Sequence, residues 1–170
     1  VSGEFNGDEF VFVDKVSGDT DFIETSNNIA VTTGSNIITA DNGTFSGFET
    51  GDYIVAKSND ERQVLKILQN TGDNQLTVNE GLLFTNTAIE MFKTVAGKVS
   101  SVHRSQIDDE VMMTLYNSSA SAGNVFTLGD NLRGADTLAT CEISSIYDTP
   151  ITYFNANIYR TNSTQTRITA

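Results

Sequence analysis

The sequence predicts an all-β fold, with two small antiparallel barrel- or sandwich-like subdomains, and three observations predict it. Apolar residues rarely recur at the three- and four-residue spacing of a helix, while Thr, Val and Ile, stiff at χ1 and suited to strands, are abundant. Short apolar or alternating runs instead follow one another at roughly ten-residue intervals, the spacing of a sandwich or barrel. Each run is bounded by Gly, Asn, Asp or Ser. Helix is expected in no more than a turn or two.

In order, the runs are Phe10–Val16, Asn28–Thr32, Asn36–Thr39, Asp52–Lys57, Gln63–Leu68, Gln75–Val78, Ile89–Val95, Lys98–His103, Glu110–Tyr116, Asn124–Leu128, Leu138–Ile146 and Ile151–Tyr159. The single proline, Pro150, reads as punctuation between the last two. The subdomain boundary is expected at Gly97, giving an acidic unit over 1–97 and a second unit over 98–170. The first stretch carries fifteen acidic and five basic residues, net −10, and the second seven and five, net −2. The nearly neutral second unit is therefore the expected assembly surface, since copies of it repel one another less.

Along Val111–Tyr116 the alternation places Val111, Met113 and Leu115 on one face and Met112, Thr114 and Tyr116 on the other, so both faces carry large side chains. Met112 and Tyr116, with Tyr153 and Tyr159 farther on, are the candidate interface residues, and a homo-oligomer is expected. Met112 and Tyr116 filling a second core layer is the alternative.

Two stretches share a skeleton. Phe48 precedes Gly51-Asp52 and Ile54, and then Val64 and Ile67; Phe126 precedes Gly129-Asp130 and Leu132, and then Cys141 with Ile143 or Ile146. Gly51, Asp52, Gly129 and Asp130 are read as turn-makers: Gly permits a positive φ and Asp bonds the turn backbone. The divergent repeat assigns one copy to each half of the chain.

Composition narrows the function classes. A net charge of −12 with a pI near 4.2 disfavours binding to nucleic acid or to an anionic membrane surface. No apolar run approaches the ~18 residues that cross a bilayer, so no membrane span is expected. Cys141 is the lone cysteine and is read as a small buried apolar side chain. His103 is the sole histidine, leaving little material for a catalytic triad or a His-rich zinc site, and no phosphate or dinucleotide loop occurs. No catalytic residue, no cofactor and no enzymatic activity are expected. Asp8, Glu9, Asp14, Asp19, Asp21 and Glu24, or Asp108-Asp109-Glu110, could offer oxygen ligands to calcium, although solvated turns explain them more simply. Tyr153, Phe154 and Tyr159 could form a sugar platform, but alternation sets Phe154 opposite the two tyrosines, and a core-plus-interface role is simpler.

The residues Ile37-Ile38-Thr39, Gly43-Thr44-Phe45, Phe48, Gly51-Asp52-Tyr53-Ile54, Arg62-Gln63-Val64, Ile67 and Leu76-Thr77-Val78 resemble a module of tail fibre and baseplate proteins of tailed bacteriophages. The stretches Arg104–Glu110, Phe126–Gly134 and Tyr159–Asn162 are similar to virion proteins of contractile-tailed phages, including those of marine cyanobacteria. Together they cover about half of the chain. The resemblance implies a structural protein of the virion, acting in assembly or attachment, whose partners are copies of itself and other virion proteins. In a fibre, the implied symmetry would be threefold. A surface adhesin that binds host glycan, with or without calcium, is the alternative. Val1 in place of Met, and the polar run Thr161–Thr166, suggest a piece of a longer polypeptide.

Overall fold

The computed structural model describes residues 2–15, 22–23, 28–59, 61–104, 111–116, 126–151 and 163–169. Among them there is no helix, and the chain forms β1 (Phe10–Val13), β2 (Phe22–Ile23), β3 (Ala30–Val31), β4 (Ile37–Thr39), β5 (Tyr53–Ser58), β6 (Glu61–Thr71), β7 (Gln75–Val78), β8 (Glu90–Thr94), β9 (Ala96–Arg104), β10 (Val111–Tyr116), β11 (Asn131–Gly134), β12 (Thr140–Glu142), β13 (Ser145–Ile151) and β14 (Ser163–Thr169). The fold is all-β, and its strand pairs are antiparallel.

The chain divides into two units, but not at a single point. One unit takes the residues through Val13, resumes at Ala96, and includes Phe126 onward; the other spans Asp14–Val95. A contiguous division at Gly97 therefore fails for the N-terminal segment. The reason is pairing: β1 lies between β9 and β11, with Val11 opposite both Gly97 and Gly134. Charge redistributes accordingly. Asp14–Val95 holds twelve acidic and five basic residues, net −7, and the rest of the chain ten and five, net −5.

The Asp14–Val95 unit carries the sheet β2-β8-β5-β6-β7-β4-β3. Its far edge, β3, does not stay open. Val31 exchanges backbone bonds with Asn86 at 2.8 and 3.1 Å, and Ile89 donates to Ile29, so β3 is paired with the chain that feeds β8. The sheet thus wraps toward closure, which removes an unpaired edge. Inside lie Ile29, Ile38, Phe45, Ile54, Leu65, Ile67, Leu76, Leu82, Ile89 and Met91, all essentially inaccessible. Phe45 and Phe48 meet edge to face at 6.0 Å. Burying such side chains contributes about 1.5–3 kcal/mol each. Gln63 ties β6 to the loop before β8: its Nε2 donates to Gly81 O, and its Oε1 accepts from Leu83 N, each at 3.0 Å.

The other unit carries the sheet β12-β11-β1-β9-β10-β14-β13. Val11, Val99, Met113, Leu115, Leu132, Cys141 and Ile143 are buried in it. Several elements differ from expectation. Asn124–Leu128 is not a strand where it is described, because Leu128 and Gly129 form a turn. Leu138–Ile146 splits into β12 and the start of β13. Pro150 lies inside β13, opposite Thr164, and the strand β14, Ser163–Thr169, takes in the described part of the polar run Thr161–Thr166, for which the sequence predicts no strand. Polar Thr and Ser carry no hydrophobic alternation, so neighbouring strands rather than local pattern make β14 a strand.

Candidate functional site

The skeleton shared by the two halves folds into the same turn twice. Gly51 and Gly129 have φ of +99° and +85°, the region glycine enters without steric cost. Glu49 N donates to Asp52 Oδ2 at 2.8 Å, and Thr127 N donates to Asp130 Oδ2 at 2.7 Å. Asp52 N donates to Glu49 O, and Asp130 N to Thr127 O. Each turn then docks on an isoleucine. Gly51 N donates to Ile67 O and Ile67 N to Asp52 O, both at 2.8 Å; Gly129 N donates to Ile143 O and Ile143 N to Asp130 O, both at 2.9 Å. From there the ladders run in step, Ile54 opposite Leu65 and Leu132 opposite Cys141. The structural equivalent of Cys141 is therefore Leu65, one residue beyond the Val64 of the sequence match, and that of Ile67 is Ile143. Phe48 and Phe126 are both buried beneath their turns.

The copies differ in one respect. Asp52 is buried and its Oδ2 also receives Lys93 Nζ at 2.7 Å. Asp130 is partly exposed and makes the backbone bond to Thr127. In both, the carboxylate oxygen facing the turn is occupied by the protein itself.

Of the interface candidates, Met112 is 37 % exposed on the outer side of β10, opposite His103 of β9. Tyr116 is half-buried, and its hydroxyl donates to Asp8 Oδ1 at 3.3 Å. Thr114, between them on the same face, is buried, so the three do not form one open patch. At this point the β9–β10 register slips past Ser100, whose Oγ donates to Thr114 O at 3.0 Å. Tyr153 and Tyr159 lie outside the described residues, as do Asp19, Asp21, Glu24 and Asp108-Asp109-Glu110.

Glu9 is not a solvated acid. It is 2 % exposed, and its carboxylate accepts from Asn6 N, from Asp136 N and Thr137 N at 3.3 and 3.2 Å, and from Thr137 Oγ1. This carboxylate holds the segment before β1 against the β11–β12 turn. Gly134 is required beside it, since a Cβ there would collide with Thr137 Oγ1 and the Glu9 carboxylate. The partners lie 127 and 128 residues apart, and no local motif announces such a pairing. Among the described residues, no group of three His, Cys, Asp or Glu side chains could hold a metal ion.

Burial pushes the Cys141 thiol up to about 11 and raises the Tyr53 hydroxyl above its ordinary value. A protonated, enclosed thiol is a poor nucleophile. A groove of about 290 Å³ lies among Gly3, Phe5, Val102 and Val111, with the Arg104–Glu4 ion pair, 3.3 Å, at its rim. Among the described residues that line it, Glu4 and Arg104 are the charged ones, and none is His, Cys, Ser, Thr or Lys. Compared with protein families, curated proteins and solved structures, the chain matches none.

Proposed function

We propose that the chain is a non-enzymatic structural module of a phage virion, part of a tail, baseplate or fibre, that works by assembling with copies of itself and with neighbouring virion proteins. The supporting observation is the doubled turn. The residues that carry the resemblance to tail proteins, Gly51-Asp52 and Gly129-Asp130, make backbone and core contacts, and their aspartates are engaged with turn amides. A motif used up in this way builds a scaffold and leaves recognition to other surfaces.

The test sets this reading against a glycan-binding adhesin. The purified chain is run on a glycan array, titrated with calcium in a calorimeter, and sedimented over a range of concentrations. The scaffold reading expects concentration-dependent association with no selective glycan and no calcium heat. Selective glycan binding with micromolar affinity by a chain that stays monomeric would overturn it.

A further inference from the structure

The edges of the two sheets are not alike. In the Asp14–Val95 unit, β3 is paired with the chain near Asn86, and β2 is two residues long. In the other unit, β12 is capped where Ser2 and Thr140 exchange backbone bonds at 2.8 Å. The opposite edge is β13, seven residues long and paired on one side with β14. Among the described residues, no backbone group bonds to its outer side.

Pro150 fixes which groups point outward. The β13–β14 ladder runs without a break from Ser145 opposite Thr169 to Ile151 opposite Ser163. Proline has no N–H, so Pro150 and Thr164 cannot be a hydrogen-bonded pair. The flanking pairs, Thr149 with Gln165 and Ile151 with Ser163, must be the bonded ones, because bonded and non-bonded pairs alternate. Ser145, Tyr147, Thr149 and Ile151 therefore bond β14, while Ile146, Asp148 and Pro150 direct their backbone groups away from it. The outer side offers the N–H groups of Ile146 and Asp148 and the carbonyls of all three.

That set is self-complementary. We propose that β13 is the edge through which two copies of this chain pair, antiparallel, about a twofold axis at Tyr147. In this register Ile146 of one copy stands opposite Asp148 of the other, and both outward N–H groups of each copy meet a carbonyl, giving four bonds. A twofold axis at Asp148 would also give four, but it sets two aspartates directly opposite, which is unfavourable. Pro150 offers no donor, so pairing stops there, which limits slippage along the edge. The strands β13 and β14 carry Asp148 and Arg167 and are otherwise uncharged, so this edge approaches its copy with little local repulsion. The contact is isologous and closes on itself.

This inference rests on the self-assembling role proposed above, and the experiment separates the two. In the full chain Tyr147→Cys, paired copies hold the new thiols across a non-bonded position, where Cα atoms are ~4.5 Å apart, within disulfide range. Mild oxidation is expected to trap a dimer, with buried Cys141 as a silent background. Asp148→Pro in the same chain removes one outward N–H and leaves the β14 ladder intact. It is expected to weaken association about tenfold or more, with the circular-dichroism spectrum and melting temperature of the parent. A parent that sediments as a monomer, or trapping that ignores Asp148→Pro, overturns the edge. If association persists and Met112→Cys is trapped instead, the scaffold role stands without the β13 contact; a monomer that binds a glycan selectively removes both.

Discussion

The twin turns provide an internal comparison that decides what their aspartates do. Asp52→Ala deletes a buried carboxylate that accepts from Glu49 N at 2.8 Å and from Lys93 Nζ at 2.7 Å. A hydrogen bond to a charged group contributes ~1.5–3 kcal/mol, and its loss leaves a partner unsatisfied. The Lys93 side chain is 25 % exposed, so water recovers part of that loss. The expected cost is about 2–3 kcal/mol. Asp130→Ala deletes the bond to Thr127 N from a partly exposed position, so about 1 kcal/mol is expected. Asparagine keeps an acceptor oxygen and loses the charge. Asp130→Asn should then be close to neutral, while Asp52→Asn still costs about 1 kcal/mol through Lys93. Urea unfolding followed by circular dichroism, with each variant compared at unchanged m, measures all four. Equal costs for Asp52→Ala and Asp130→Ala would refute the reasoning. So would variants of parental stability that abolish a calcium- or glycan-induced rise in melting temperature, because the aspartates would then be ligands.

The remaining predictions test the surroundings of these turns. Gly51→Ala and Gly129→Ala have room for the methyl but not the backbone angle, and each should cost about 1–2 kcal/mol in the same assay. Gly134→Ala should cost more, about 3 kcal/mol, and Glu9→Gln about 2 kcal/mol, because both disturb the buried carboxylate at Thr137; parental urea midpoints would refute the latch. Cys141 and Tyr53 have raised folded-state values, so their contribution is complete below pH 9. It falls as pH rises from about 9 to 11 for Cys141, because the unfolded chain releases its proton first. Cys141→Ala should flatten that decline by up to about 2 kcal/mol in melts across this range. Met112→Asp should lower stability by less than ~1 kcal/mol, because Met112 is exposed on β10; a larger loss would return it to the core.

The strand class was legible because most strands carry their own pattern. Gln75–Val78 is a strand with the limits its alternation suggests, and Ile54, Leu65 and Ile67 face inward as the pattern requires. The Phe-x-x-Gly-Asp skeleton was legible for the same reason: the turn is local, and its φ and side-chain bond follow from four consecutive residues. What could not be read depends on distant partners. β1 joins β9 and β11 across most of the chain, so the charge shift near Gly97 marks the junction at Ala96 but not the one after Val13. β14 is polar and owes its conformation to β10 and β13. Pro150 looks like a breaker until its place on an edge strand shows that the missing N–H faces outward.

The discontinuous division also changes the electrostatic argument for assembly. A cut at Gly97 made the second stretch nearly neutral and favoured it as the contact surface. With Asp8, Glu9 and Glu4 restored to the sheet that contains β1, the charges become −7 and −5, and neither unit is neutral. Two copies, each at −12, repel at long range whichever units face each other. Salt screens that repulsion beyond about 8–10 Å, so the local composition at the contact decides whether close approach is tolerated. Glu9 is enclosed and its charge is met by the turn at Thr137. The strands β13 and β14 hold one acid, Asp148, and one base, Arg167, and β13 presents backbone dipoles along an edge. Self-association through β13 should therefore strengthen as salt is raised, whereas docking of a basic patch onto an acidic one would weaken. The sign of the salt dependence separates a backbone-built contact from a charge-built one.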